Sequence, residues 1–237
     1  METFLFFDTE TTGNTPEDTL CQVAYKNGET TFSALYKPAK SIPPEASAVH
    51  HITNRMVSNK PVFTASDEYK NIRSLFESSE TIPVAHNAKF DVSMLAKEGI
   101  IVPRYICTLR LARHLDEESV IPRYNLQYLR YYLDIDVEAP AHDALGDVIV
   151  LEQLFARLYK KYIEKMGDKE KALAEMLAVS ARPSFIKVFS FGKYNGEKVE
   201  DVVKKDPGYL EWLYKQKKEN ESDEEDWLYT LEKALGK

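Results

Sequence analysis

Acidic residues follow the first apolar segment of this sequence and recur at two later points. Asp8 and Glu10 come directly after the apolar run at residues 4–7, so alternation along a strand sends both carboxylates to the same side. Two anions held close together repel each other unless a cation is shared between them. Asp91 and Asp147 lie near the starts of two predicted helices. If the four carboxylates converge, they would hold two hard divalent cations, Mg²⁺ or Mn²⁺, through oxygen ligands.

His142 adds a group that can exchange a proton near neutral pH. It directly precedes Asp143, which we interpret as the cap of a long helix, so His142 lies on a loop. Its imidazole can take a proton from water, a step that metal-bound carboxylates perform poorly. Two divalent cations roughly 3.5 to 4 Å apart can clamp a phosphodiester, one activating the attacking water and one stabilising the departing oxygen. These residue types therefore indicate phosphodiester hydrolysis.

Three of these carboxylates also have a structural interpretation. Asp8 could cap a turn while Glu10 is solvated. Asp91 could complement the dipole of its helix, which contributes roughly 0.3 to 1 kcal/mol. Taken singly, none of the acidic residues decides between the two interpretations.

The elements that must position these residues alternate between strand and helix patterns. Residues 4–7 are apolar on both faces, which is typical of a central buried strand. The Asn27-Gly28 dipeptide predicts a tight hairpin between strands at 19–26 and 30–36, and short strands fit 82–85 and 105–108. Helices are predicted at 45–50, 66–76, around 91–95, and at 109–115, 126–133, 143–165 and 169–179. The pattern predicts an α/β fold with a mixed sheet of about five strands flanked by helices.

Composition and charge exclude several classes of protein. Of the 237 residues, 43% are hydrophobic and 29% charged, so a disordered or fibrous chain is excluded. The net charge of −7 argues against a protein that holds nucleic acid by a broad basic surface, but cations bound to carboxylates can reverse the local sign. Cys21 and Cys107 have no zinc-like spacing, and the apolar start is too short for a signal peptide or membrane span. A reducing cytoplasm is the expected location.

The chain divides into three parts by pattern. We predict a catalytic domain at 1–166, a helical linker at 167–183 and a small C-terminal module at 184–237. Between residues 185 and 214 aromatic residues alternate with lysines, which could stack on and grip single-stranded DNA. The alternative is that these aromatics form the core of the module. We favour the core, because a short module needs large side chains to bury enough area.

Three segments together resemble the DEDDh group of 3′-to-5′ exonucleases in the DnaQ-like, ribonuclease H-like superfamily. They are FDTETTG at 7–13, HNAKFD at 86–91 and HDALGD at 142–147, in the order that the family shows. Further segments resemble the exodeoxyribonuclease X branch of that family: AVHHIT at 48–53, and in the C-terminal module FSFGKY at 189–194 and DPGYL at 206–210. The resemblance implies a ribonuclease H-like fold and cleavage of terminal phosphodiesters to 5′-mononucleotides.

The resemblance also assigns roles to the metal-binding and catalytic residues. It implies that Asp8 bridges two ions, that Glu10 and Asp147 complete the ion on the nucleophile side, and that Asp91 supports the other. It implies that His142 is the general base. Residues implied to lie near the terminal nucleotide are Thr9, Thr11, Thr12, His86, Asn87 and His50. For His86 and His50 the alternative is a histidine hydrogen-bonded within the protein.

The expected partner is DNA. We expect the protein to act at 3′ ends, with single-stranded ends favoured, and to have a role in DNA repair or end processing. RNA stays open, since chemistry at the phosphate does not reveal the sugar. An exoribonuclease or a polymerase-associated proofreading exonuclease would need the same residues. A nucleic-acid-binding protein without turnover is the non-enzymatic alternative. No membrane partner is expected, and protein partners are left open.

Overall fold

A mixed sheet of five strands lies at the centre of the computed structural model, which describes residues 3–137, 144–219 and 224–237. Its order is β3-β2-β1-β4-β5, in which β1 pairs antiparallel with β2, β2 antiparallel with β3, β1 parallel with β4, and β4 parallel with β5. The predicted mixed sheet is confirmed. The strands are β1 (Thr3–Thr11), β2 (Leu20–Asn27), β3 (Thr30–Leu35), β4 (Thr81–Ala85) and β5 (Ile106–Cys107).

Eleven α-helices surround this sheet or follow it in the described ranges. Gly28, at a φ of 57°, lies in the two-residue turn between β2 and β3, as the hairpin prediction required. The helices are α1 (Pro44–His50), α2 (Asn54–Val57), α3 (Tyr69–Glu77), α4 (Ala88–Lys97), α5 (Thr108–Leu115), α6 (Leu126–Tyr132), α7 (Ala144–Met166), α8 (Lys169–Ser180), α9 (Val199–Lys205), α10 (Pro207–Lys218) and α11 (Glu225–Leu235).

The two faces of β1 pack into two different cores, which explains why residues 4–7 are apolar without alternation. Phe6 belongs to a cluster with apolar residues of α5, α6, α7 and α8. Leu5 and Phe7, which point the opposite way, belong to a cluster with residues of α3 and α4. Helices therefore cover both faces of the sheet. The polar residues at the end of β1 lie at one edge of the core.

The interval 167–183, predicted as a helical linker, contains a helix with a different role. Ala172, Met176 and Val179 of α8 are buried in the same cluster as Phe6. Ser180 adds a buried hydrogen bond, because its Oγ accepts from the Cys107 backbone N at 2.9 Å. The helix is thus part of the packing of the catalytic domain. Its apolar spacing was visible in the sequence, but its packing partner was not.

The C-terminal module has a core of its own, as the favoured alternative predicted. Its buried cluster comprises Ile186, Phe189, Tyr194, Val199, Val202, Leu210, Leu213, Trp227 and Leu231. Phe185 and Trp212 are the exposed aromatic residues among the described part of the module, at 40% and 54% exposure, and neither belongs to this core. In the part of the chain that is described, none of the helices has the length and apolar character needed to cross a membrane.

Candidate active site

The end of β1 presents two carboxylates on the face that α7 covers. Asp8 and Glu10 share that face with Phe4 and Phe6, because side chains alternate along the strand. Both acidic residues are half-buried. The hydrophobic packing of the preceding residues therefore determines the side to which these carboxylates point.

Helix α7 brings Asp147 to the same level of the sheet. The ring centres of Phe6 and Phe155 lie 5.3 Å apart, and those of Phe4 and Tyr159 lie 5.6 Å apart, so α7 runs antiparallel to β1. Asp147 precedes Phe155 by eight residues, or about 12 Å of helix, and Glu10 follows Phe6 by four residues, or about 13 Å of strand. Asp147 is therefore level with Glu10.

Asp91 reaches β1 from the other side through Thr9. The pairing of β1 with β4 ends at Phe6, which leaves the backbone of Thr9 beyond the last parallel pair. Asp91, in the first turn of α4, accepts hydrogen bonds there: its Oδ1 lies 3.1 Å from the Thr9 backbone N and 2.7 Å from Thr9 Oγ1. Burial raises the pKa of Asp91 to about 7, against the opposing effect of these bonds. A nearby cation would favour the charged form again.

Gln127 contacts the candidate metal ligand Asp147, a contact that no sequence pattern indicates. Its Nε2 donates a hydrogen bond to Asp147 Oδ1, while its own Oε1 is buried without a hydrogen-bond partner in the described residues. Gln127 lies in α6 between Leu126 and Leu129, which pack into the core beside α7. A polar residue between two core positions is ordinary on a helix surface, so only the fold reveals this contact.

The loop after β1 is held rigid by Asp18, a second residue that the sequence did not mark. Thr12 Oγ1 donates to Asp18 Oδ1 at 2.6 Å, and Thr15 and Lys40 bind the same carboxylate. Burial alone would raise the pKa of Asp18, but these hydrogen bonds lower it well below its usual range. Gly13 is required here, because a Cβ at that position would lie 2.6 Å from Asp18 Oδ2. The loop is thus preformed.

The other residues predicted to bind substrate have partners inside the protein. Thr11 Oγ1 donates to the Gly13 carbonyl at 2.7 Å. His50 is buried, with Nε2 lying 3.2 Å from the Thr11 carbonyl oxygen and Nδ1 accepting from the Ile52 backbone N at 3.0 Å. The hydroxyl of Thr9 is bonded to Asp91, as described above. These contacts support the loop that the substrate would touch.

His86 and Asn87 form the turn between β4 and α4. The Nε2 atom of His86 lies 2.6 Å from the Tyr124 carbonyl oxygen, and Nδ1 lies 2.9 Å from Thr108 Oγ1. Burial lowers the pKa of His86 to about 4, so the ring is neutral at physiological pH. Asn87 is exposed and has a φ of 66°, which orients the start of α4. Among the predicted substrate contacts, Asn87 is therefore the side chain open to solvent.

The elements that carry the predicted metal ligands pack together at β1, since both α7 and α4 contact this strand. Asp8 and Glu10 come from β1 itself, Asp147 from α7, and Asp91 from α4. Within residues 3–137, 144–219 and 224–237, no group of three or more His, Cys, Asp or Glu side chains is arranged to hold a metal ion. His142, the predicted general base, lies outside the described residues. The metal site therefore stays a prediction, with a donor set of carboxylate oxygens.

Comparisons with known proteins identify the family of the sheet domain and of the C-terminal module. A family model described as an exonuclease matches residues 5–155, and one described as exodeoxyribonuclease X-like C-terminal matches residues 189–218. Exodeoxyribonuclease 10 of Escherichia coli K12 is 33% identical over 187 residues, covering 77% of this chain and 76% of its own. The DNA polymerase III subunit epsilon of Treponema pallidum is 32% identical over 178 residues, covering 69% and 80%.

Solved structures show the same fold. The structure of exonuclease X in complex with 5′ overhanging duplex DNA is 27% identical, with a TM-score of 0.55, and covers 75% of this chain and 99% of its own. Exonuclease I of E. coli in complex with a dA16 oligonucleotide is 22% identical, with a TM-score of 0.56, and covers 74% and 46%. The second likeness concerns the fold alone.

Proposed function

Because the chain belongs to the exonuclease family, we propose that it is a 3′-to-5′ exodeoxyribonuclease that releases 5′-mononucleotides from DNA ends. Single-stranded ends are the favoured substrate, and DNA repair or end processing the favoured role. The relative from E. coli is named an exodeoxyribonuclease, which supports DNA over RNA. The observation that carries the proposal is the buried Asp91, which is hydrogen-bonded to Thr9, the residue between Asp8 and Glu10 on β1.

We propose that Asp8, Glu10, Asp91 and Asp147 hold two divalent cations, Mg²⁺ or Mn²⁺. Asp91 is the residue that fits a bound cation. Burial without a nearby positive charge raises the pKa of its carboxyl group, and a bound cation would favour the ionised form. When bound, such cations activate water and neutralise charge on the scissile phosphate. Thr9 fixes the orientation of Asp91 through Oδ1, and Gln127 binds Asp147.

We propose that His142 takes the proton of the attacking water. A histidine five residues before Asp147 in the chain is a candidate to accept that proton, since an imidazole titrates near neutral pH. The preformed loop at residues 11–13 and the exposed Asn87 would then seat the terminal nucleotide. Seating a chain end, rather than an internal position, is what makes the reaction exonucleolytic.

A proofreading exonuclease that works with a polymerase is the second candidate. The relative from T. pallidum, named DNA polymerase III subunit epsilon, favours it. The two candidates share their chemistry and differ in the partner. Copurification with a polymerase, and stimulation of hydrolysis by it at a mismatched primer end, would favour proofreading. Equal rates with and without polymerase would favour the independent enzyme.

Digestion of matched DNA and RNA oligonucleotides tests the proposal. Each oligonucleotide carries a 5′ label, so that removal of 3′ nucleotides produces a ladder of labelled products. We expect a ladder with DNA and Mg²⁺ or Mn²⁺, none with EDTA, and none with Asp91→Asn. Asp67→Asn, a change at an exposed aspartate of similar chemistry, is the matched control and should digest normally. Faster digestion of RNA, or no mononucleotide release at all, would contradict the proposal.

A further inference from the structure

The C-terminal module contacts the catalytic domain through a partly buried cluster of charges. Arg110, only 5% exposed, places Nη2 2.5 Å from Glu225 Oε2 and 3.0 Å from Asp226 Oδ1. Arg113 Nη1 lies 2.6 Å from Asp226 Oδ2, and the Ser184 backbone N donates to Asp226 Oδ1 at 3.0 Å. Glu225 and Asp226 are in the first turn of α11, where the helix dipole favours acidic side chains. The cluster therefore fixes the start of the module and its last helix against α5.

Docking of the module creates a cleft of about 1200 Å³ between the two parts. Asn14 and Thr15, from the loop after β1, line it, together with His86 and Asn87 before α4. Residues of the C-terminal module, including Phe185, line it as well. The cleft is thus shared between the module and residues predicted to lie near the terminal nucleotide.

The cleft is basic although the chain as a whole is acidic. Its lining holds six lysine and arginine residues and three acidic ones, whereas the chain carries a net charge of −7. Lys97, Arg123 and Lys187 form no salt bridge within the described ranges. Lys97 and Lys187 donate to backbone carbonyls, and Arg123 is exposed. These charges can bind an anion that follows the cleft.

Aromatic side chains accompany these cations. Phe185, 40% exposed, is not part of the core of the module and lines the cleft instead. Phe90 and Tyr124, both half-buried residues of the catalytic domain, also line the cleft. Stacking on an aromatic ring suits any base, and cations follow the phosphates, so the combination is that of a groove for single-stranded nucleic acid.

We propose that the C-terminal module forms the second wall of a channel that leads single-stranded DNA to the candidate active site. Phe185 stacks on a base, and Arg123 contacts a backbone phosphate. This inference rests on the proposed function, since it concerns the strand whose 3′ end is hydrolysed. It differs from the stacking hypothesis based on residues 185–214, because five of the seven aromatics in that range belong to the core of the module or pack against it, and Phe185 alone among the seven lines the cleft.

The first test compares a long substrate with one that fits only the active site. The long substrate is single-stranded DNA of about 20 nucleotides, more than the roughly 4 to 16 nucleotides of typical single-strand sites. The small substrate is the p-nitrophenyl ester of thymidine 5′-monophosphate. For Phe185→Ala we expect the ratio of kcat/KM, long over small, to fall at least about fivefold, because one stacking contact is lost. Trp212→Ala, an exposed aromatic of the same module away from the cleft, is the matched control and should keep the wild-type ratio.

The second test measures binding without turnover. Fluorescence anisotropy of the labelled oligonucleotide in EDTA gives Kd as a function of salt. For Arg123→Gln we expect the slope of log K against log salt to fall by about 0.7, the contribution of one phosphate contact on a single strand. Lys161→Gln, at an exposed lysine of α7, is the control and should leave the slope unchanged. Thermal melting verifies that each variant is folded.

The outcomes separate failure of the channel from failure of the proposed function. The channel proposal is refuted if Phe185→Ala keeps the wild-type kcat/KM ratio or if Arg123→Gln keeps the wild-type salt slope. In that case the proposed function still stands, provided that the wild type hydrolyses either substrate. If the wild type hydrolyses neither substrate, the proposed function fails. The anisotropy slope then still decides whether the cleft binds the strand.

Discussion

Replacing Thr9 by valine tests whether the position of Asp91 matters for the chemistry. Valine has nearly the shape of threonine, so the packing of this buried residue is kept and the hydroxyl alone is lost. The lost bond is the 2.7 Å contact from Thr9 Oγ1 to Asp91 Oδ1, while the 3.1 Å bond from the backbone N remains.

The magnitude follows from the kind of bond. A buried hydrogen bond to a charged acceptor contributes about 1.5 to 3 kcal/mol. If Asp91 must be ionised to bind a cation, losing that amount weakens the apparent Mg²⁺ or Mn²⁺ affinity by about 10- to 150-fold. Because the bond also lowers the pKa of Asp91, the variant should need a higher pH for full activity.

Activity measured as a function of Mn²⁺ concentration, at several pH values, is the assay. Thr9→Ser restores the hydroxyl and should recover most of the affinity. Thr31→Val, the same change at an exposed threonine of β3, should have no effect. An unchanged Mn²⁺ requirement in Thr9→Val, or failure of serine to restore it, would refute the link between Thr9, Asp91 and the cation.

Three further predictions concern the proposed catalytic groups. His142→Ala should keep Mn²⁺ binding but lose about 10²- to 10⁴-fold in kcat, since it lacks the general base, and a near wild-type rate would remove that role. Asp8→Ala or Asp147→Ala should abolish metal-dependent hydrolysis, and unchanged Mn²⁺ affinity in a binding titration would count against their assignment as ligands. Because burial raises the pKa of Asp91 to about 7, ionising it costs stability as the pH rises from the ordinary aspartate range towards 7. Urea unfolding of metal-free protein should show that loss in the wild type and not in Asp91→Asn, and parallel pH profiles would contradict it.

The elements of the fold could be predicted from the sequence because their signals are local. The double-sided apolar run at residues 4–7 predicts a strand covered on both faces, and Asn27-Gly28 predicts the hairpin. The apolar stripe at residues 143–165 predicts the helix observed at Ala144–Met166. Each of these features depends only on neighbours in the chain.

The contacts that complete the site could not be predicted, because they join residues far apart in the chain. The bond between Thr9 and Asp91 spans 82 positions, and that between Gln127 and Asp147 requires α6 and α7 to pack side by side. The salt bridge between Asp226 and Arg110 could not be predicted either. Asp226 lies in a polar segment, and nothing in the neighbouring residues indicates its partner. Sequence patterns locate the carboxylates on their elements, whereas the packing of those elements determines which of them meet.

The central claim is that carboxylates from β1, α4 and α7 jointly hold divalent cations beside the end of a DNA strand. Anomalous diffraction from crystals grown with Mn²⁺ and thymidine 5′-monophosphate tests it directly. We expect two manganese peaks, bounded by Asp8, Glu10, Asp91 and Asp147, with the nucleotide phosphate against them. Peaks located elsewhere, or none at Mn²⁺ concentrations that support hydrolysis, would contradict it.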